Sequence, residues 1–123
     1  MRIAVTFQNK KEITGHAGKT SRFLIYNIDN ASNKVIEKDL IELEKEDILH
    51  NRFHNSAEPY APHPIYTTDV LITAGAGYGF VNRLSTQNVN VIITSEQDPD
   101  MAVALFLKGE LPIGAPHHHI NSN

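Results

Sequence analysis

Hydrophobic residues in this chain are gathered into short runs separated by polar segments. Five runs are rich in β-branched side chains and end at polar or turn-forming residues, which is the pattern of buried strands. The predicted strands cover residues 2–7, 21–28, 34–40, 69–74 and 89–94.

Two helices are predicted in the second half, where apolar residues recur every three or four positions. The first covers residues 80–87. The second has Asp98 as its cap and Pro99 at its first position, and it ends at Gly109.

The middle of the chain is harder to assign. Residues 41–53 alternate apolar and charged positions in a way that allows either a short amphipathic helix or an irregular segment. Residues 51–68 contain Pro59, Pro62 and Pro64, which predict a loop or at best a broken helix. A loop of that length in a small domain is usually functional or mobile.

The order of these elements predicts an α/β fold with a single mixed five-stranded sheet flanked by helices. The Asx- and Ser-rich segment 29–33 joins two strands as a hairpin, and right-handed crossovers connect the later strands. No repeat or linker is visible, so we expect one domain over residues 1–111 and an irregular, histidine-containing tail over residues 112–123.

Composition restricts the function more than it identifies it. The 123 residues are 41% hydrophobic and contain no cysteine, which excludes disulfides, thiolate zinc sites and a cluster ligated by cysteines of this chain. A net charge of −3 argues against a nucleic-acid partner. Without an apolar run long enough to span a bilayer or a signal-like segment, we expect a cytoplasmic protein with no membrane partner, monomeric or weakly dimeric.

Three polar segments are expected at one edge of the sheet. The first strand and the two late strands should be parallel, so the segments after them, residues 15–19, 75–79 and 94–96, should meet where open α/β sheets bind ligands. Gly75, Gly77 and Gly79 lie between a strand and a helix, where backbone amides can hold an anion. A tight turn that requires positive φ explains the same glycines equally well.

His16 is the strongest single candidate for a binding residue. It lies between Gly15 and Gly18 on a predicted exposed turn, where an imidazole can coordinate a metal or donate to an anion. Lys19 and Arg22 add positive charge nearby. A loop histidine without a function remains the alternative.

The other histidines give weaker signals. His50 and His54 are four residues apart, which on a helix places both imidazoles on one face. They could bind metal if His63 or Glu58 supplied a further ligand, or they could be solvated side chains. The run His117–His119 in the tail could bind transition metal weakly or be accidental.

Catalytic signatures are scarce. The chain has no nucleophile elbow and no cysteine nucleophile, and its first strand lacks the acidic residue that a metal-dependent nuclease on such a sheet would need. The sequence therefore favours a binding protein over an enzyme, with a hydrolase as the weakest alternative.

Several ordered motifs together resemble one known family. The segments 2–5, 15–18, 22–26, 69–79, 91–94 and 98–111 are similar to the dinitrogenase iron–molybdenum cofactor biosynthesis family, the NifX/NafY-like domains. The resemblance implies a ribonuclease-H-like sheet and a non-catalytic role in binding or carrying an iron–sulfur or iron–molybdenum cluster or its precursor, together with cofactor-assembly proteins.

The resemblance also assigns roles to particular residues. The histidine of the family's Gly-His-x-Gly turn, a candidate cluster ligand, corresponds to His16, whereas the phenylalanine that usually follows it is replaced by Ala17. Beside this ligand, we expect the glycine-loop amides with Lys19 or Arg22 to balance the charge of a cluster. The alternative left open is a binding module for a phosphorylated or other anionic metabolite.

Overall fold

A mixed five-stranded sheet forms the centre of the computed structural model, which describes residues 1–116. The strand order is β3-β2-β1-β4-β5. The β2 strand is antiparallel to both of its neighbours, whereas β4 is parallel to β1 and to β5, which confirms the predicted mixed sheet. The strands are β1 (Arg2–Thr6), β2 (Arg22–Asp29), β3 (Lys34–Glu42), β4 (Val70–Thr73) and β5 (Asn90–Ile93).

Helices cover both faces of the sheet. They are α1 (Leu49–Asn55), α2 (Tyr78–Ser85) and α3 (Pro99–Lys108). Because successive side chains of a strand point to opposite faces, Ile3 and Val5 of β1 pack in the same core as α3, whereas Ala4 packs with α1 and α2. The buried β1 and β4 strands are therefore apolar on both faces, as their sequences predict.

Helix α3 shows the predicted beginning and end. The Asp98 side chain accepts a hydrogen bond from the Met101 amide at 2.8 Å, and Pro99 follows at the first helical position. Gly109 ends the helix with φ 73°, a left-handed conformation that favours glycine.

The middle segment combines the alternatives that the sequence left open. The β3 strand continues to Glu42, a 3₁₀ turn covers Lys45–Asp47, and α1 is a short helix over Leu49–Asn55. The helix therefore extends into residues 51–68, the segment predicted as a loop or a broken helix. A short 3₁₀ turn, Pro64–Thr67, precedes β4.

The chain beyond α3 remains in contact with the sheet. Leu111 is buried, and the Gly114 amide donates to the carbonyl of Ile93 at 2.7 Å. The predicted histidine cluster His117–His119 lies outside the described residues. Within residues 1–116, none of the helices has the length and apolarity that a bilayer crossing requires.

Candidate functional site

Two loops meet where β1 and β4 end. The Ala74 amide donates to the Thr14 carbonyl at 3.0 Å, and the Ala17 amide donates to the Gly75 carbonyl at 3.1 Å. Since the two strands are parallel neighbours, their loops leave the same edge of the sheet. The first two of the three predicted segments are therefore in contact.

Two buried threonines fix the spacing between these loops. Thr6 and Thr73 are both fully buried. The Thr6 hydroxyl donates to the Thr14 carbonyl at 2.6 Å, and the Thr73 hydroxyl accepts from the Gly75 amide at 3.3 Å. Because the two hydroxyl oxygens are also 3.0 Å apart, one polar cluster connects both strand ends.

His16 is exposed and has a left-handed backbone, with φ 51° and ψ 53°. Its carbonyl accepts hydrogen bonds from the Lys19 amide at 2.9 Å and from the Thr20 hydroxyl at 3.1 Å. A left-handed residue other than glycine costs about 1 kcal/mol, so the surrounding hydrogen bonds must hold it. The turn that carries His16 is therefore closed by its own hydrogen bonds.

A cavity of about 360 Å³ opens between these loops and helices α1 and α2. This volume is near the lower end of small-molecule sites, which are about 300–1,000 Å³. Among the described residues, the cavity is lined by no Asp or Glu side chain, but by five that carry or can accept a positive charge: His16, Lys19, His50, His54 and Arg83. Its potential therefore favours an anionic ligand.

The floor and one wall of the cavity are apolar. Ala17 and Ala76 are buried at its base. The Phe53 ring of α1 packs edge-on against Phe80 of α2, with ring centroids 6.4 Å apart. The Arg83 guanidinium lies 4.9 Å from the Phe53 ring centroid, a cation–π contact that ties α1 to α2.

His50 and His54 lie together on the cavity side of α1. Their ring centroids are 4.5 Å apart. Burial lowers the pKa of the His50 imidazole, and the nearby His54 and Lys19 lower this pKa further. At neutral pH His50 is therefore a neutral imidazole, with a nitrogen lone pair available to a ligand.

The two further ligands considered for this pair do not join it. His63 is buried, and its Nε2–H donates to the Asp47 carbonyl at 2.7 Å while its Nδ1 accepts from the Ile65 amide at 3.0 Å. Both nitrogens are therefore occupied. Glu58 is exposed and lies outside the cavity. Within residues 1–116, no group of three or more His, Cys, Asp or Glu side chains is arranged to hold a metal ion.

Some predicted site residues lie elsewhere. The Arg22 Nε is 3.4 Å from a Glu42 carboxylate oxygen, and its Nη1 donates to the Gln8 carbonyl at 2.8 Å, so Arg22 does not line the cavity. Gly79 is exposed in the first turn of α2, and residues 94–96 are also outside the lining.

None of the predicted site glycines has a left-handed backbone conformation. Within residues 1–116, Gly109 is the glycine with positive φ, so the interpretation of 75–79 as a left-handed turn is wrong. A Cβ on Gly15 would lie 3.7 Å from the Gly75 nitrogen. Gly18, Gly75 and Gly77 line the cavity, and Gly77 caps α2 with no side-chain hydrogen bond.

Sequence reasoning missed the α1–α2 wall. Phe53 and Arg83 belong to no recognisable motif, and Phe80 is predicted only as the first residue of a helix. The one available signal was the aromatic and histidine content of residues 50–54, which places Phe53 within the same turn as both imidazoles.

Fold and site together define a small α/β domain with a cavity whose lining, among residues 1–116, has imidazoles and no carboxylate. The model of the dinitrogenase iron–molybdenum cofactor family matches residues 1–109. The chain belongs to this family, which confirms the resemblance in its sequence motifs. A comparison with curated proteins gives no significant match.

Solved structures agree on the fold. The protein PH0822 is similar at 17% identity and a TM-score of 0.66, over 93% of this chain and 96% of that one. A protein of Methanocaldococcus jannaschii, provisionally described as a dinitrogenase, is 18% identical with a TM-score of 0.65, over 94% and 95%. The apo form of the orange protein from Desulfovibrio gigas is 21% identical with a TM-score of 0.63, over 93% and 92%.

Proposed function

We propose that this protein is a non-catalytic carrier that binds an iron–sulfur or iron–molybdenum cluster, or its precursor, in the cavity between α1, α2 and the two loops. His16 supplies a metal ligand, and the cluster is cargo that the protein passes to cofactor-assembly proteins. The observation that carries the proposal is His16, held in a left-handed turn at a cavity whose described lining has no carboxylate.

The charge and chemistry of the cavity support this cargo. Metal–sulfide clusters are anionic, and Lys19 and Arg83 lie where they can balance that charge. Imidazole nitrogen is a suitable ligand for iron. Because the described cavity offers nitrogen ligands and no thiolates, its attachment to a cluster is weak enough to permit transfer.

The available nitrogens of His16 support a direct metal bond. Within the described part of the chain, no hydrogen bond engages a ring nitrogen of His16, in contrast to His63, whose two nitrogens are both occupied. The family membership supports the same assignment, since the Gly-His-x-Gly turn is intact here.

The experiment compares anaerobic cluster retention by the native chain and by His16→Asn. Asparagine tolerates the left-handed backbone but removes the imidazole. Isolated iron–molybdenum cofactor, or a preformed iron–sulfur cluster, is added, the protein is desalted, and bound iron and visible absorbance are measured. We expect the native chain to retain cluster and His16→Asn to bind it at least about tenfold more weakly, a loss of about 1.4 kcal/mol.

Lys10→Asn is the matched control. Lys10 also has positive φ, at 60°, but lies outside the cavity, so its variant should retain cluster like the native chain. Equal retention by His16→Asn would remove the proposed ligand, and no retention by the native chain would remove the carrier function.

The second candidate is a binding module for a phosphorylated or other anionic metabolite. It is favoured by the amino end of α2 at Gly77, whose cap has no side-chain hydrogen bond, and by Lys19 and Arg83, which line the same cavity. A thermal-shift series with nucleotides and inorganic phosphate separates the candidates. Stabilisation by phosphate compounds together with no cluster retention would favour this second function.

A further inference from the structure

We propose that His50 and His54 form a binding site for a single divalent transition-metal ion of the Zn²⁺, Ni²⁺ or Cu²⁺ type, separate from the His16 ligand. This site goes beyond the carrier function because it requires no cluster and uses a different element of the fold.

The first step is the fixed orientation of α1. Leu49 is buried in the core, and Phe53 packs against Phe80 beneath the Arg83 guanidinium. Arg52 donates to the carbonyls of Ala61 at 2.8 Å and Pro62 at 3.1 Å, which joins the helix to the following loop. These contacts hold the helix face that carries both imidazoles towards the cavity.

The second step is the spacing of the two rings. Metal–nitrogen bonds of about 2.0–2.1 Å at a tetrahedral ion place the centres of two imidazoles about 5 Å apart. The observed separation of the His50 and His54 ring centroids is 4.5 Å. The two rings are therefore close enough for one nitrogen of each to bind a common ion when both side chains turn a nitrogen towards it.

The third step is the availability of both imidazoles. In the part of the chain that the structure describes, neither ring has a hydrogen-bond partner at its nitrogens, although His50 is half-buried. Histidines that only face water do not need to lie side by side at the border of a cavity. Here both rings border a cavity, next to the loops that carry His16 and Gly75.

The ligand type selects the class of metal. Imidazole suits zinc, copper and nickel, whereas Mg²⁺ and Ca²⁺ require oxygen ligands, and the described cavity lining has no carboxylate. Lys19 and Arg83 line the same cavity and repel a bare cation, so an anion in the cavity is expected to complete the coordination that the two histidines begin. The ion would therefore be exchangeable and accessible to a second ligand.

Zinc titration by calorimetry tests the site. All proteins carry His117→Gln, His118→Gln and His119→Gln, so that tail histidines do not contribute. His50→Ala and His54→Ala are compared with Asn55→Ala, a truncation of the exposed neighbour of His54 on the same helix, and with His16→Asn. Circular dichroism melting establishes that each variant is folded.

We expect one Zn²⁺ per chain, with binding weakened at least about tenfold in His50→Ala and in His54→Ala, equivalent to about 1.4 kcal/mol. Asn55→Ala and His16→Asn should bind zinc like the parent. Unchanged affinity in folded His50→Ala and His54→Ala, or no binding by the parent, would overturn the site. An equal loss in His16→Asn would overturn its separateness from the cargo ligand. Cluster retention is measured separately with His16→Asn. It therefore tests the carrier function whether or not the protein binds zinc.

Discussion

His16 has a strained backbone conformation and lies at the rim of the cavity. Within residues 1–116, three other non-glycine residues have positive φ, and two of them are Asn33 and Asn88, a residue type that tolerates this region. His16 retains the same conformation at a cavity rim, at a cost of about 1 kcal/mol. Glycine would avoid this cost but has no imidazole. The strain is therefore consistent with a requirement for the imidazole at this position.

His63 differs from His16 because both of its ring nitrogens form hydrogen bonds within the fold. Its two hydrogen bonds fix the neutral form with the proton on Nε2, and burial lowers the pKa of the imidazole below its usual range. Neighbouring Arg52 lowers this pKa as well, whereas Asp47 raises it. His63 is therefore a structural residue that connects the start of α1 to the turn before β4.

Protonation of His63 should make stability depend on pH. In the unfolded chain this imidazole takes up a proton as pH falls below about 6.5, before the folded state does. The contribution of His63 to the free energy of unfolding should therefore be constant above that pH and decrease between it and the lower folded-state pKa. Urea unfolding of the native chain and of His63→Asn from pH 8 to pH 5 measures this slope. The variant should show a smaller slope, and identical slopes would contradict the assignment.

At the scale of elements, the site depends on two strand ends held in register. The Thr14 carbonyl accepts hydrogen bonds from both buried threonine hydroxyls and from the Ala74 amide, and the Gly75 carbonyl accepts from the Thr73 hydroxyl and the Ala17 amide. The parallel pairing of β1 and β4 supplies the common edge, and the hydroxyl cluster sets the distance between the loops.

Thr73→Val should destabilise the fold and loosen the site. Valine has nearly the same shape but leaves the Gly75 amide without its hydroxyl partner, and an unsatisfied buried group costs about 1–3 kcal/mol. Chemical denaturation should show that loss, together with weaker cluster retention. Thr86→Val is the control, because the Thr86 hydroxyl donates only to the Arg83 carbonyl at an exposed position, and it should change stability by less than about 0.5 kcal/mol. Equal effects of the two changes would contradict a special role for the buried cluster.

At the scale of the whole molecule, the cavity exists because three elements leave a gap over one edge of the sheet. Gly18 lies in the turn after β1, and a Cβ there would be 3.5 Å from a Phe80 ring carbon and 3.9 Å from the His50 Cβ. Its missing side chain therefore leaves space between the turn, α1 and α2.

Gly18→Leu should fill the cavity and abolish binding while the fold persists. Its backbone does not have positive φ, so the substitution introduces no strain of that kind. Gly18→Ala makes only ordinary contacts and should retain cluster and stability. Cluster retention and thermal melting of both variants measure the difference. Binding by Gly18→Leu equal to that of the native chain would show that cargo lies elsewhere.

Local patterns in the sequence predicted most of the fold. Each of the five strands was predicted to within two residues at its ends, and the cap at Asp98 and the stop at Gly109 were predicted from residue type alone. These features depend on side-chain periodicity and backbone preference, which a short segment contains by itself. The segment with His16 could likewise be recognised as a candidate ligand turn.

Helix α1 and the wall of the cavity were decided by tertiary structure. A seven-residue helix is not stable alone; burial of Leu49, the contact of Phe53 with Phe80 and the bonds of Arg52 hold it on the sheet. The sequence by itself determined the sheet, the caps and the ligand types, because these follow from local chemistry. Which histidine faces the cavity and which is bound within the fold depends on long-range contacts, and only the folded chain contains them.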